Sequence, residues 1–270
     1  MIISPDKIQE LNYLAEELYA SRESDLGFYS RVFGDGNLNK YKRRLENIGF
    51  TGLNRTLDLG CGFGQWAVSM AEINKECLGT DLDADRLQIA ERTSQLIGLE
   101  NAVFKKASSQ DLVVGGYRKS FDGIFSYNTI PLTPWREELE KISQLLKDDG
   151  LLYFNAYDLG WMCHNIIEEH NTAADFSARN WAIDAITTTM IYERTGQYNP
   201  VSTKSSLYVP QTQLIEFLPK VGLELLYCGG DGKISITGDT NPEADQFFPG
   251  EKYGIPAVYE ILCKKKAILN

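Results

Sequence analysis

Thr56-Leu57-Asp58-Leu59-Gly60-Cys61-Gly62-Phe63-Gly64-Gln65 runs from an apolar stretch through one acidic residue into three glycines spaced two apart. A short apolar run ending in a glycine turn that opens a helix, here residues 65–73, is the pattern of a buried strand feeding a crossover. Glycines allow positive φ and let a ligand come close to the backbone without Cβ in the way. A dinucleotide fingerprint, G-x-G-x-x-G, needs glycine at position 65, where Gln65 stands. The third glycine arrives one residue early, and Asp58 beside the turn opposes a phosphate. A dehydrogenase is therefore the weaker reading of this turn.

Outward from the turn, residues 77–80, 102–104 and 123–125 read as further buried strands, and residues 83–97 as a second helix. A helix over 134–146 precedes a fifth strand at 151–154. Strand–helix alternation of this kind implies right-handed crossovers, a parallel sheet and an α/β fold covered on both faces. Residues 158–206 break the rhythm with helices expected near 163–170 and 176–193. A connection this long between a strand and the next crossover is expected to be a functional lid. A helix at 212–221 and strands near 223–227 and 258–263 complete the chain. Before the turn, Pro5 opens a helical N-terminal region in which Ile8, Leu11, Leu14, Ala15 and Leu18 recur at helical spacing. The expected organisation is one domain over 1–270: an N-terminal helical cap (1–52), a core (53–157), the lid (158–206) and the last part of the sheet (207–270).

Composition narrows the partners. The chain has 270 residues, enough for a full core, and a formal net charge of −10. Such a balance argues against phosphate-backbone capture and against anionic membrane surfaces, so neither nucleic acid nor membrane is an expected partner. No apolar run reaches the length of a membrane span. The N-terminus lacks the charged-then-apolar pattern of a signal peptide, and five scattered cysteines without a CxxC pair suit a reducing cytoplasm. The sequence leaves the oligomeric state open.

The stretch Asp58-Leu59-Gly60-Cys61-Gly62-Phe63-Gly64, followed by Gly79-Thr80-Asp81, resembles the class I S-adenosylmethionine-dependent methyltransferases. Phe121-Asp122-Gly123-Ile124-Phe125-Ser126 and the turn before Leu151 are similar to the family's fourth strand and the entry to its fifth. The resemblance implies a Rossmann-like, seven-stranded, mostly parallel sheet and S-adenosyl-L-methionine as cofactor. It implies that Asp58, Gly60, Cys61, Gly62 and Gly64 lie along the methionine moiety and that Asp81 accepts from the ribose hydroxyls. Leu82 matches the position that packs on adenine. Where the family often has an aspartate for the adenine amino group this chain has Ser108, with Ser109 and Gln110 as alternatives. Ser126 ends the fourth strand beside the cofactor. Tyr29 and Tyr41 are expected covers from the N-terminal helices, unless they only pack those helices.

Ligands of open parallel sheets bind beyond the carboxyl ends of the strands. The residues expected to face the reacting methyl therefore follow strands four and five. His164, Tyr127 and Asp158 are the candidate catalytic groups, His164 first because imidazole titrates near neutral pH. Asn128, Tyr157, Trp161, Trp181 and Tyr192 are candidate substrate contacts, set against the plainer reading that the insertion's aromatics form its own small core. Asn128-Thr129-Ile130-Pro131 is not the Asn/Asp-Pro-Pro-aromatic motif of adenine and glutamine amide methyltransferases, which argues against nucleic-acid and protein acceptors. Asp122 comes too early in strand four and no Asp-Asn pair follows strand five, so no metal is expected. The expected reaction is methyl transfer to oxygen, nitrogen or carbon of a small-molecule metabolite. Two rivals share the fold: transfer of another group, such as aminopropyl, and a non-catalytic cofactor-binding partner protein.

Overall fold

A computed structural model describes residues 1–168, 173–199, 206–236 and 246–267. Three helices come first: α1 (Pro5–Tyr19), with Pro5 in its opening turn, α2 (Glu23–Phe33) and α3 (Asn39–Asn47). Strands and helices then alternate through β1 (Arg55–Leu59), α4 (Gln65–Ile73), β2 (Glu76–Asp81), α5 (Ala84–Ile97), β3 (Ala102–Lys106), α6 (Ser109–Val114) and β4 (Phe121–Ser126). After α7 (Trp135–Leu145) come β5 (Leu146–Tyr157), α8 (Leu159–Ile167), α9 (Ala173–Thr195), α10 (Gln211–Phe217), β6 (Leu223–Gly230), a two-stranded hairpin β7 (Glu251–Lys252) and β8 (Ile255–Pro256), and β9 (Val258–Lys265). Seven strands form one sheet in the order β3-β2-β1-β4-β5-β9-β6. β1 pairs in parallel with β2 and β4, and β2 with β3, whereas β9 runs antiparallel to both β5 and β6.

The chain divides into two compact units, Met1–Phe125 with Ser235–Asp245 and Ser126–Ile234 with Gln246–Asn270. In the first, Leu57, Leu59, Ala67, Val68, Met70, Ile89, Ala90 and Ile124 are buried, the dense apolar filling that a parallel sheet between helices requires. α5 shows how local chemistry sets an end. Asp83 caps it by accepting from the Asp85 and Arg86 N–H groups, and Gly98, at φ +77°, closes it in the left-handed region.

In the second unit, α8 and α9 carry the insertion. Met162, Ala182 and Ala185 form a small buried cluster against which Tyr157, Trp161, Ile166, Trp181, Ile186 and Tyr208 pack. The helix expected over 163–170 runs instead over Leu159–Ile167, because the Asp158 carboxylate accepts the Leu159 N–H and starts it earlier. His170 lies outside the described residues. β5 begins at Leu146 rather than 151, although its register with β9 starts at Leu151. After β3 the chain enters α6, opened by a capping box between Ser108 and Asp111. Among the described residues no helix is long and apolar enough to cross a membrane.

Candidate functional site

The glycine turn is tied to the tip of β2. The Gly60 and Cys61 N–H groups both donate to the Thr80 carbonyl at 2.8 Å, and the Gly64 N–H donates to the Cys61 carbonyl at 2.9 Å. Asp81 holds the turn through its side chain. Its Oδ2 accepts from the Gly62 N–H and its Oδ1 from the Asp83 N–H, each at 2.9 Å. Gly60, Gly62 and Gly64 all have positive φ, at +75°, +53° and +83°. Space separates their roles. A Cβ at Gly62 would meet nothing within 4 Å, whereas one at Gly64 would sit 2.5 Å from the Ala90 Cβ. Gly62 therefore borders open volume, and Gly64 lets α4 and α5 close on each other.

Around this turn three oxygens are buried without a hydrogen-bond partner among the described residues: Asp58 Oδ2, Gln65 Oε1 and Thr80 Oγ1. Asp58 is 1% exposed. Burial, and then the Asp81 charge, push its carboxyl well above the usual carboxylate range, against the pull of one backbone N–H from Ala67. Leaving such an acceptor unpaired costs about 1–3 kcal/mol, so a ligand that supplies a donor would recover that energy. Leu82, directly after Asp81, is 64% exposed, an apolar side chain waiting at the strand tip. These features suit a ligand that brings a hydrogen-bond donor to Asp58 and an apolar face to Leu82.

The remaining expected cofactor contacts differ in what engages them. Ser108 spends its hydroxyl on the cap of α6, donating to Asp111 Oδ2 at 2.7 Å and accepting from the Asp111 N–H at 3.2 Å. Ser109 is buried and Gln110 exposed at the start of that helix, while Ser126 is buried at the end of β4. Cys61 is buried with its thiol pushed up by burial and by Asp58. Tyr29 and Tyr41 are buried among the helices behind the turn. Tyr29 donates to Asn12 Oδ1 at 3.0 Å, and the Tyr41 ring stands edge-on to Trp66 at 4.7 Å.

The N-terminal helices reach the turn through Phe63, a residue whose role was not foreseen. Its ring is met by Tyr19 at 5.7 Å, Phe28 at 5.4 Å and Tyr29 at 5.8 Å. Arg22 adds ion pairs to Asp83 and Asp85, and Arg86 pairs with Asp25 at 2.7 Å. The signal was present in the sequence as an aromatic residue between two glycines, facing a helical region rich in aromatics.

In the second unit, Tyr127 donates to Asp231 Oδ1 at 3.0 Å. Asn128 takes a left-handed conformation at φ +57°. Its N–H donates to Asn155 Oδ1 at 2.6 Å, and the Asn155 amide donates back to Asn128 Oδ1 at 2.8 Å. This reciprocal pair fixes the chain after β4 to the end of β5. Tyr157 lies edge-on to Trp181 at 5.8 Å, its hydroxyl pushed up by burial and by the Asp231 charge. Trp161 stacks on His164 at 5.1 Å, and His164 Nδ1 lies 3.0 Å from Glu168 Oε1 without hydrogen-bond alignment. Asp158 has both oxygens engaged, by the Leu159 N–H at 2.6 Å and the Gln211 N–H at 3.0 Å. Burial pushes its carboxyl up. The structure thus brings Tyr127, Trp161 and His164 into one aromatic neighbourhood and gives Asp158 a capping task.

Tyr192 stands apart from them. It is buried, donates to Glu137 Oε2 at 2.6 Å and accepts from the Arg136 N–H at 3.3 Å. Arg136 also forks onto Glu193 with two bonds of 2.8 Å. This network ties α9 to α7. Tyr192→Phe should therefore lower stability by about 1–2 kcal/mol, read as a shift in the denaturant midpoint, and leave the KM for any acceptor unchanged.

The sheet order, the glycine turn and the acid at the tip of β2 define the class I S-adenosylmethionine-dependent methyltransferase fold. The chain belongs to the methyltransferase domain family, whose model matches residues 51–204. A Geobacillus protein named as a methyltransferase is 26% identical over 160 residues, which cover 53% of this chain and 60% of that protein. The (S)-coclaurine N-methyltransferase of Papaver somniferum is 30% identical over 128 residues, covering 46% of this chain and 34% of its own. Among solved structures, geranyl diphosphate methyltransferase in complex with S-adenosylmethionine superposes with a TM-score of 0.56 at 11% identity, covering 88% of this chain and 90% of that one. The matched stretches are thus under two thirds of the length of these two sequence relatives.

Proposed function

We propose that this chain transfers a methyl group from S-adenosylmethionine to oxygen, nitrogen or carbon of a small-molecule acceptor. The observation that carries the reading is the unpaired, buried Asp58 Oδ2 beside a glycine turn that opens onto free space at Gly62. Asp81 keeps a free lone-pair direction on each oxygen after its two backbone bonds, which suits a pair of ribose hydroxyls. Asp58 would pair with the ammonium of the methionine moiety, Leu82 would cover the adenine, and Ser109 or Gln110 would meet its polar edge. When bound, the cofactor supplies an electrophilic methyl carbon on a sulfonium.

The chain's own work is then to orient the acceptor, which supplies ~7–11 kcal/mol of a displacement barrier. Tyr127, Asn128, Tyr157, Trp161 and Trp181 are the proposed acceptor contacts. His164 is the proposed base, taking the acceptor's proton at a ring nitrogen; such a base adds ~10²–10⁴-fold only where the nucleophile arrives protonated. A net charge of −10 favours a small acceptor over nucleic acid, and the Papaver relative is named for methylating a small molecule.

A thermal-shift titration tests the reading. S-adenosylmethionine at 100 times its Kd contributes ~2.7 kcal/mol, a rise in Tm on the order of 5 °C. NAD should give none, and methyl label should pass from the cofactor into a mixture of small metabolites. A shift with NAD alone would move the chain to the dehydrogenases. Cofactor binding with no label transferred to any metabolite would favour the non-catalytic partner.

A further inference from the structure

We propose that the Asn128 side-chain amide is a fixed hydrogen-bond donor for the acceptor, so that the acceptor molecule carries a carbonyl oxygen beside its reacting atom. This inference rests on the reading that the second unit holds the acceptor, and it names the class of that acceptor. The backbone settles which way both amides point. The Asn128 N–H can only donate, so the Asn155 atom that meets it at 2.6 Å is Oδ1. The other arm of Asn155 is then its NH2 group, and the Asn128 atom that it meets at 2.8 Å must be an oxygen. Asn128 Nδ2 is left over, with no hydrogen-bond partner among the described residues.

This donor is held rather than merely present. Asn155 is fully buried and Asn128 half-buried, so the pair anchors the amide just beyond β4, the end of a parallel strand at which ligands bind. Asn128 also keeps a left-handed backbone at φ +57°, a conformation that carries a cost and gathers at ligand clamps. Tyr157, two residues after Asn155 on the same face of β5, has a hydroxyl without a hydrogen-bond partner among the described residues. It is a second neutral donor on that face. Neutral donors suit a carbonyl oxygen, whereas a carboxylate is more often met by a guanidinium fork. An N–H aimed at the attacking atom would tie up the lone pair that reacts. Asn128 therefore anchors a neighbouring oxygen and leaves the reacting atom free. An ammonium has no lone pair to offer either donor.

The test uses the full chain and two probes of similar size, acetophenone and α-methylbenzylamine, the second an ammonium ion at neutral pH. Affinity is read by tryptophan fluorescence, and contact by the Asn128 side-chain amide signals of isotope-labelled protein, assigned by their loss in Asn128→Asp. Acetophenone should bind at least fivefold more tightly than the ammonium and should move the Asn128 signals. Asn128→Asp keeps an oxygen for Asn155 and replaces the free NH2 by a second oxygen, so the preference should reverse. Should that variant not fold, Asn128→Gly, which suits the left-handed backbone and removes the amide, is expected to weaken acetophenone at least threefold. Equal affinity for the probes, tighter binding of the ammonium, unmoved Asn128 signals, or an unchanged preference in folded Asn128→Asp would overturn the proposal. An acetophenone preference that depends on Asn128, in a chain that gives no thermal shift with S-adenosylmethionine, would uphold the donor and remove the methyl-transfer reading. A cofactor shift with no preference between the probes would do the reverse.

Discussion

Asp81→Ala is expected to weaken S-adenosylmethionine at least tenfold. Two charge-assisted hydrogen bonds to the ribose would be lost, each worth ~1.5–3 kcal/mol, and 1.4 kcal/mol is a decade in Kd. The same carboxylate also anchors the Gly62 N–H and the Asp83 N–H, so its removal loosens the turn along which the cofactor would lie. Calorimetric titration of the variant, with its thermal midpoint measured alongside, separates the two losses. Asp81→Asn keeps a neutral acceptor for the turn and should recover stability more than affinity. An unchanged Kd in Asp81→Ala would take this residue out of the cofactor site.

Gly64→Ala and Gly62→Ala should fail in opposite ways. At Gly64 the new methyl would sit 2.5 Å from the Ala90 Cβ and 3.0 Å from its Cα, at a φ of +83°. Overpacking costs ~1–3 kcal/mol and the left-handed conformation ~1–2 kcal/mol more. The total, about 2–5 kcal/mol, is a large part of a typical stability of ~5–15 kcal/mol. Gly64→Ala should therefore lose on the order of 10 °C in Tm or not accumulate as folded protein. At Gly62 the methyl enters open space, so only the conformational cost of ~1–2 kcal/mol applies to the empty protein. That space is where the cofactor would lie, so Gly62→Ala should keep most of its stability and lose most of its affinity. Equal effects of the two substitutions on both readouts would contradict the division of labour between these glycines.

The core was legible because its signals are local. A strand running through Asp58, a glycine turn and the start of a helix at Gln65 can be read from ten consecutive residues, and the structure has each there. Asp81 was expected at the tip of the second strand from the family resemblance, and the structure has it there, tied to the Gly62 N–H. What was not legible depends on contacts between distant segments. Asp231 meets Tyr127 across 104 residues, and nothing in Gly229-Gly230-Asp231-Gly232 by itself says which side chain it would find. Its only mark was an acidic residue among glycines at a strand end. Ser108 illustrates the opposite limit. Its place beside β3 was readable, but its capping of the short helix α6 depends on Asp111 three residues on. Tyr192 was read as a candidate substrate contact, set against a place in the insertion's own core; its burial against Glu137 and Arg136 could be known only once α7 and α9 were placed.

The clasp of three rings on Phe63 bears on how the chain could be cut and reused. The stretch recognisable as a family member begins at residue 51, and an engineer choosing a minimal cassette would trim there. Such a cassette would leave behind Tyr19, Phe28 and Tyr29 and strand Phe63 in water, a loss of up to ~1.5–3 kcal/mol of burial at the turn itself. It would also strip Arg22 and Asp25 from their partners on α5. The portable part is longer than the recognisable part: a working transplant starts no later than Pro5, and the first helices travel with the glycines as one piece of hardware.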